Sequence, residues 1–175
     1  MYEIYLNICS FIRFSGIDPN YKTLERKELA DIINSKKPIK IKFPKYEIII
    51  YHKNTTTVSY SDLNKLANEN PDIEYIFIKS SWIKGKPENA IYMSFEDFEL
   101  NIEPKNRYYN IEVFRNGAVP NDFNFYELSS DGLPKILTSD ILAKWLLLKE
   151  GDIISYTLFT EEGFYKRYRE AVDYW

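Results

Sequence analysis

Three polar residues have the types that metal-dependent nuclease chemistry requires. Pro71-Asp72, followed much later by Glu103-Pro104-Lys105, has the loose form of a pattern in which carboxylates hold a divalent metal and a lysine assists the attacking water. Pro104 stands where that pattern needs a regular strand carrying the acid and the lysine on one face. A metal-dependent nuclease, or a nuclease-like toxin or immunity protein, is therefore the alternative hypothesis and not the main one.

Two isolated residues, His52 and Cys9, complete the candidates for chemistry. One imidazole without a second nitrogen or thiol ligand nearby does not predict a metal site, and catalysis would need a nucleophile or carboxylate beside it. Cys9 falls on the apolar face of a predicted helix, where a free cysteine usually packs as a small hydrophobe. The six glycines are scattered singly, so no phosphate-binding loop is predicted. We expect no catalytic residue, no metal and no cofactor.

Two groups of lysines could contact a phosphate backbone within a larger complex. The first group consists of Lys36, Lys37, Lys40, Lys42 and Lys45. The second group consists of Lys79, Lys84 and Lys86, with Trp82 between them. For the first group the favoured interpretation is the solvent side of an edge strand, where lysine discourages aggregation; for the second, both interpretations stay open. The acidic run Glu96, Asp97 and Glu99 is predicted to be a solvated face.

The hydrophobic pattern predicts an α/β arrangement for the first part of the chain. Helices are predicted over 2–14, 22–34 and 61–67, and strands over 39–42, 46–51 and 73–78, with further extended structure over 90–102. Thr23 is the predicted N-cap of the second helix, and Ser59 or Ser61 that of the third. The run 46–51 suits an interior strand. A polar segment over 103–107 marks a junction between domains 1–104 and 105–175.

The second domain is predicted to be a small two-layer α/β domain, so the fold class is α/β (α+β). A strand is expected over 109–114 and a helix over 139–148, followed by strands over 153–159 and 165–172 that pair across a turn at 160–163. Leu142, Trp145 and Leu146 would supply apolar contacts from that helix, either to the sheet or to a partner.

Bulk composition limits the class of protein further. A hydrophobic content of 45% predicts a globular chain, and an aromatic content of 17% suggests a partner. A net charge of −3 gives no general affinity for nucleic acid, and the single cysteine excludes a disulfide framework. No run of eighteen apolar residues and no signal-peptide pattern is found, so we expect a soluble intracellular protein without membrane contact.

Several spaced motifs lie between Leu133 and Arg169. The positions concerned are Pro134, Asp140, Ala143, Lys149, Gly151, Asp152, Gly163, Tyr165, Tyr168 and Arg169. In this order and spacing they resemble the assembly domain of a small archaeal RNA polymerase subunit and of its counterpart, the fifth subunit common to the eukaryotic nuclear polymerases. Val119-Pro120 is similar to the start of that domain. The family's Asp-Pro is Asp140-Ile141 here and one of its helices is missing, which indicates a divergent lineage, such as that of a large DNA virus.

The resemblance implies a non-catalytic subunit of a multisubunit DNA-directed RNA polymerase. It implies docking on the largest subunit, beside neighbouring small subunits, and the docking residues carried over are Pro134, Thr138, Asp140, Ala143, Trp145, Gly151, Tyr168 and Arg169. Residues 1–104 resemble, in element order, the endonuclease-like jaw domain of the eukaryotic members. Lys79, Lys84 and Lys86 would then lie near downstream duplex DNA. The expected location is the nucleus for a cellular protein, and the host cytoplasm or virion for a viral one.

Overall fold

The chain forms two compact units in a computed structural model. The units are Met1–Asn101 and Ile102–Trp175, whereas the boundary predicted from the sequence followed residue 104. The structure describes residues 2–34, 37–51, 60–80, 90–99, 109–116, 118 and 132–174. These residues contain four α-helices, a 3-10 helix and eight strands in two mixed sheets, which confirms the predicted α/β (α+β) class.

The first unit is built on a four-stranded sheet in the order β1-β2-β3-β4. Its elements are α1 (Tyr2–Phe14), α2 (Arg26–Asn34), β1 (Ile39–Lys42), β2 (Tyr46–Ile50), α3 (Tyr60–Glu69), β3 (Glu74–Lys79), β4 (Ala90–Ser94) and the 3-10 helix Phe95–Phe98. Strand β1 pairs antiparallel with β2, and β2, β3 and β4 are mutually parallel.

The two central strands of this sheet, β2 and β3, form its core. The runs 48–50 and 75–78 are buried throughout, as expected for parallel strands covered on both faces. Ile49 and Phe77 pack with Leu63 and Ala67 of α3. The prediction that 46–51 forms an interior strand is confirmed, because β2 lies between β1 and β3.

Two predictions in the first unit were wrong at the ends of elements, and a third stays a prediction. Helix α2 begins at Arg26, so Thr23 is not its N-cap; instead the Glu25 amide donates to the Glu28 carboxylate at 3.0 Å. Helix α3 begins at Tyr60, which places Ser61 inside the helix; Ser59, the other predicted N-cap, lies outside the described residues, so this alternative is untested. The strand that starts at Ala90 ends at Ser94 and does not continue towards residue 102, because the 3-10 helix follows directly.

The second unit is a four-stranded sheet in the order β5-β7-β8-β6, with one short helix. Its elements are β5 (Tyr109–Phe114), β6 (Lys135–Leu137), α4 (Ile141–Trp145), β7 (Ile153–Thr160) and β8 (Gly163–Val172). Strand β7 pairs antiparallel with β5 and β8, and β6 pairs parallel with β8. The predicted β7–β8 hairpin is confirmed. Its turn consists of residues 161–162, whereas the predicted turn was 160–163.

Helix α4 is much shorter than the helix predicted over 139–148. It ends because Leu147 adopts a positive φ of 53°. The Leu147 amide donates to the Lys144 carbonyl and the Leu148 amide to the Ala143 carbonyl, which is the pair of bonds of a Schellman motif. The leucines after Trp145 therefore remain buried but lie outside the helix.

Candidate docking site

Helix α4 and its N-cap include three of the predicted docking residues, of which one is exposed and two are buried. Asp140 is its N-cap, with Oδ1 accepting from the Leu142 amide at 2.8 Å, and it is exposed. Ala143 and Trp145 have no exposed surface at all. Leu142 is also buried, so the apolar side of α4 is shielded from solvent. Ala143 and Trp145 can therefore support a docking surface from beneath, but they are not accessible to a partner.

Arg115, the first residue after β5, binds the segment that follows α4. Its guanidinium donates through Nη1 to the Leu147 carbonyl at 2.6 Å and through Nη2 to the Leu146 carbonyl at 2.8 Å. Nη1 also lies 2.7 Å from Oδ2 of Asp152, whose side chain is almost completely buried. One arginine thus satisfies carbonyls at the C-terminal end of the helix and a buried carboxylate together.

Asp152 has further partners that fix the loop before β7. Its carboxylate accepts from the backbone amides of Asn116 at 3.1 Å and Lys149 at 2.9 Å. Its own carbonyl accepts from the Ala171 amide at 2.8 Å. Gly151, another predicted docking residue, has a φ of 83° and donates to the Ala171 carbonyl at 2.9 Å. The positive φ explains why glycine is needed at this turn.

Pro134 and Thr138 lie on either side of β6, at the edge of the sheet. Pro134 is exposed, and its carbonyl accepts from the Glu170 amide at 3.0 Å. The Thr138 hydroxyl donates to the Asp173 carboxylate at 2.6 Å, and the Thr138 amide donates to the Val172 carbonyl. Both residues therefore fasten β6 to the last part of β8, and the proline offers an accessible surface there.

Tyr168 and Arg169 lie next to each other on β8, so their side chains project from opposite faces of the sheet. Tyr168 is half-buried opposite Ser155, and the Lys166 Nζ lies 5.6 Å from the centre of its ring. The exposed Arg169 donates through Nε to the Tyr156 hydroxyl at 3.0 Å. Of the residues expected to dock, the accessible ones are therefore Pro134, Asp140 and Arg169, with Thr138, Gly151 and Tyr168 partly accessible.

The sequence analysis did not single out the tip of the β7–β8 hairpin as a site. Phe159 and Phe164 face each other across the ladder with ring centres 5.0 Å apart, and they are 65% and 71% exposed. Tyr165, the next residue on β8, is 39% exposed and projects from the opposite face of the sheet. The signal was present in the sequence as aromatic residues immediately flanking Thr160-Glu161-Glu162-Gly163, a turn segment expected to lie in solvent.

The lysines of the first unit lie on or beside its sheet. Lys79 is the last residue of β3 and is half-exposed, whereas Lys84 and Lys86 lie outside the described residues. Lys40 and Lys42 are exposed on β1, which is an edge strand as predicted. Lys36 lies outside the described part of the chain. Asp97, predicted to be solvated, instead takes part in the capping box of the 3-10 helix.

Of the candidates for chemistry, Cys9 and Asp72 are the two that lie among the described residues. Cys9 is fully buried, as predicted, and burial raises the pKa of its thiol, which keeps it protonated and unreactive. Asp72 is exposed in a turn, while His52, Glu103 and Lys105 lie outside the described residues. Among the residues that the structure describes, no three His, Cys, Asp or Glu side chains are grouped so as to hold a metal ion.

The fold and the site define a two-unit α/β protein with mixed sheets. When the sequence is compared with known proteins, no protein-family model matches it and no curated protein does. None of the described helices has both the length and the apolar character that crossing a membrane requires.

Proposed function

We propose that the chain is a non-catalytic subunit of a multisubunit DNA-directed RNA polymerase and that its second unit docks on the largest subunit. One observation carries the proposal: positions that resemble the assembly domain of the small archaeal polymerase subunit have defined structural roles within a single small unit. Asp140 caps α4, Gly151 provides a turn with positive φ, the buried Asp152 pairs with Arg115, and Gly163 begins β8 after the hairpin turn. Such residues keep the backbone of the unit in one conformation. A docking module needs this rigidity because it must present its contact residues in a fixed arrangement.

Exposure among the predicted docking residues is consistent with this role. Pro134 and Asp140 are accessible near β6 and the start of α4, and Arg169 is accessible on β8. Trp145 is fully buried and belongs to the packed interior. An interface with a packed support and accessible polar and aromatic residues has the usual anatomy of a protein–protein contact.

The first unit is proposed to form part of the lower jaw near downstream duplex DNA. Support comes from its α/β element order and from Lys79 at the end of β3. Replacing Lys84 and Lys86 by Ala should weaken DNA retention by the assembled enzyme without disrupting assembly. An unchanged salt dependence of DNA retention would argue against contact, because phosphate contacts release counterions.

Affinity purification of the tagged chain from the cells that naturally contain it tests the assembly. We expect the largest polymerase subunit and neighbouring small subunits to co-purify, as identified by mass spectrometry. Combining Tyr168→Ala with Arg169→Ala should reduce that recovery, and Lys65→Ala, at an exposed position of α3 in the first unit, is the control. If the wild-type chain recovers no large polymerase subunit, the proposal is wrong.

The nuclease alternative makes the opposite prediction for the isolated chain. Purified protein would be incubated with DNA and RNA in the presence of Mg²⁺ or Mn²⁺. We expect no metal-dependent cleavage. Cleavage that Asp72→Ala abolishes would contradict the proposed non-catalytic role, because that residue would then be acting as a metal ligand.

A further inference from the structure

The far end of the β7–β8 hairpin combines exposed aromatic rings with exposed carboxylates. We call this surface the aromatic tip and define it as Phe159, Glu161, Glu162 and Phe164. Single exposed apolar residues are common and need no explanation, but adjoining large rings are informative. Phe159 and Phe164 contact each other yet remain mostly exposed, so their mutual contact leaves most of both rings in water.

Hydrogen bonds hold the aromatic tip in one shape. The ladder between β7 and β8 continues in register to Thr160 and Gly163. The Thr160 hydroxyl accepts from the Glu162 amide at 3.3 Å, and the Tyr165 hydroxyl donates to the Glu162 carboxylate at 3.3 Å. A surface that is already ordered loses little conformational entropy on binding, which favours its use as an anchor.

The charges at the aromatic tip indicate the chemistry of its partner. Glu161 and Glu162 are exposed at the turn, and neither forms an ion pair with another described residue. Carboxylates beside the rings disfavour nucleic acid, since phosphates would be repelled. A protein pocket that is apolar inside and edged by Lys or Arg would complement both the rings and the carboxylates.

The aromatic tip is continuous with a residue already expected to dock. Phe164, Lys166 and Tyr168 alternate along β8 and therefore lie on one face of the sheet. Lys166 lies 3.5 Å from the Glu112 carboxylate on the same face, so its charge is partly neutralised. One face of β8 thus carries Tyr168 and Phe164, with the Lys166 side chain between them, up to the end of the hairpin.

We infer that the aromatic tip inserts into an apolar pocket edged by basic residues on the largest polymerase subunit, as a second docking element beside Tyr168. The inference rests on the proposed function, which supplies the identity of the partner. Burial of Phe159 and Phe164 provides the apolar contact, and Glu161 and Glu162 meet the basic edge of the pocket. Aromatic side chains of this kind dominate the affinity of many interfaces.

Co-purification of the polymerase with variants of the chain tests the inference. Phe159→Ala combined with Phe164→Ala should lower recovery of the largest subunit by about ten-fold or more, because truncating central aromatic anchors commonly has effects of that size. Glu161→Lys combined with Glu162→Lys should also lower it. Tyr174→Ala is the matched control, because Tyr174 is an 88% exposed aromatic residue of the same unit outside the aromatic tip, and recovery should not change.

The outcomes separate the two proposals. Undiminished recovery with the double alanine variant overturns the role of the aromatic tip and leaves the polymerase assignment standing. If wild type recovers no polymerase, both are overturned. A photo-crosslinking residue at position 164 gives a direct readout in the assembled enzyme. Capture of a Lys- or Arg-containing peptide of the largest subunit supports the inference, whereas capture of nucleic acid or of a second copy of this chain overturns it.

Discussion

Arg115 and Asp152 are 37 residues apart in the sequence and meet in a 2.7 Å ion pair that joins the end of β5 to the loop before β7. The Asp152 side chain is 3% exposed and the Arg115 side chain 41% exposed, so the pair lies at the margin of the core. The same guanidinium binds the carbonyls that follow α4, where Leu147 has a strained positive φ. The pair is therefore the point at which strand, helix end and loop are held together.

Replacing Arg115 by Met should lower the free energy of unfolding of the second unit by about 2–4 kcal/mol. The methionine keeps an apolar stem but leaves a buried carboxylate without its cation and two carbonyls without a donor. Urea unfolding followed by tryptophan fluorescence measures the change. In a background with Trp82→Phe and Trp175→Phe, Trp145 is the single tryptophan and reports on this unit.

Lys166→Met provides the control for that experiment. Lys166 forms a longer and more exposed ion pair with Glu112 on the same sheet, and such pairs contribute about 0–1 kcal/mol. Equal effects of the two substitutions would show that Arg115 acts no differently from a surface cation.

Asp140 should act mainly as a helix cap. Asp140→Ala is expected to cost about 1 kcal/mol in the same Trp145 assay, because the Leu142 amide loses its acceptor. Asp140→Ser can accept the same hydrogen bond and should remain near wild type. If Ser were as destabilising as Ala, the negative charge and not the cap would be the important property.

The sequence was sufficient for the central parts of both sheets. Apolar β-branched runs predicted β2 and β3, and the alternation around a Gly-containing turn predicted the hairpin of β7 and β8. These signals are local: a buried strand must be apolar along its length, and a hairpin must have a turn between its strands.

The parts that could not be predicted depend on contacts between distant residues. The run Leu146 to Leu148 looks helical, but a Schellman motif ends α4 at a leucine and Arg115 binds the carbonyls there. Strand β6 has three residues and exists because β8 pairs with it. In the candidate site, Trp145 was expected to contact a partner yet is wholly buried. Side-chain burial depends on the complete fold, so it cannot be predicted from the spacing of a motif.

Ser94 should be needed to end β4 and begin the 3-10 helix. Its amide donates to Oδ2 of Asp97 at 2.7 Å, and its Oγ accepts from the Asp97 amide at 3.3 Å. Ser94→Ala should destabilise this segment by about 1 kcal/mol and raise amide hydrogen exchange over 90–99 by about five-fold. Mass spectrometry of that peptide measures the exchange. Glu96→Ala, at an exposed position of the same helix, should leave it unchanged.

Alkaline pH should destabilise the first unit through a buried group of protonated side chains. The hydroxyls of Tyr5 and Tyr21 are 3.2 Å apart, and the buried Cys9 thiol lies one turn after Tyr5 on the same helix. Burial raises the pKa of all three groups above the ordinary values of 9.0 for cysteine and 10.0 for tyrosine. At high pH the folded state then binds more protons than the unfolded state. The stabilisation is complete below those ordinary values and is lost as pH rises above them.

Urea midpoints measured between about pH 8 and pH 10.5, the range in which unfolded cysteine and tyrosine ionise, test this expectation. The wild-type midpoint should fall as pH rises, and the fall should be smaller in Tyr5→Phe, because the phenylalanine keeps the ring but has no proton to lose. Tyr174→Phe removes an exposed hydroxyl and should follow the wild-type slope. Parallel slopes for wild type and Tyr5→Phe would mean that the buried hydroxyl does not contribute to the loss of stability at alkaline pH.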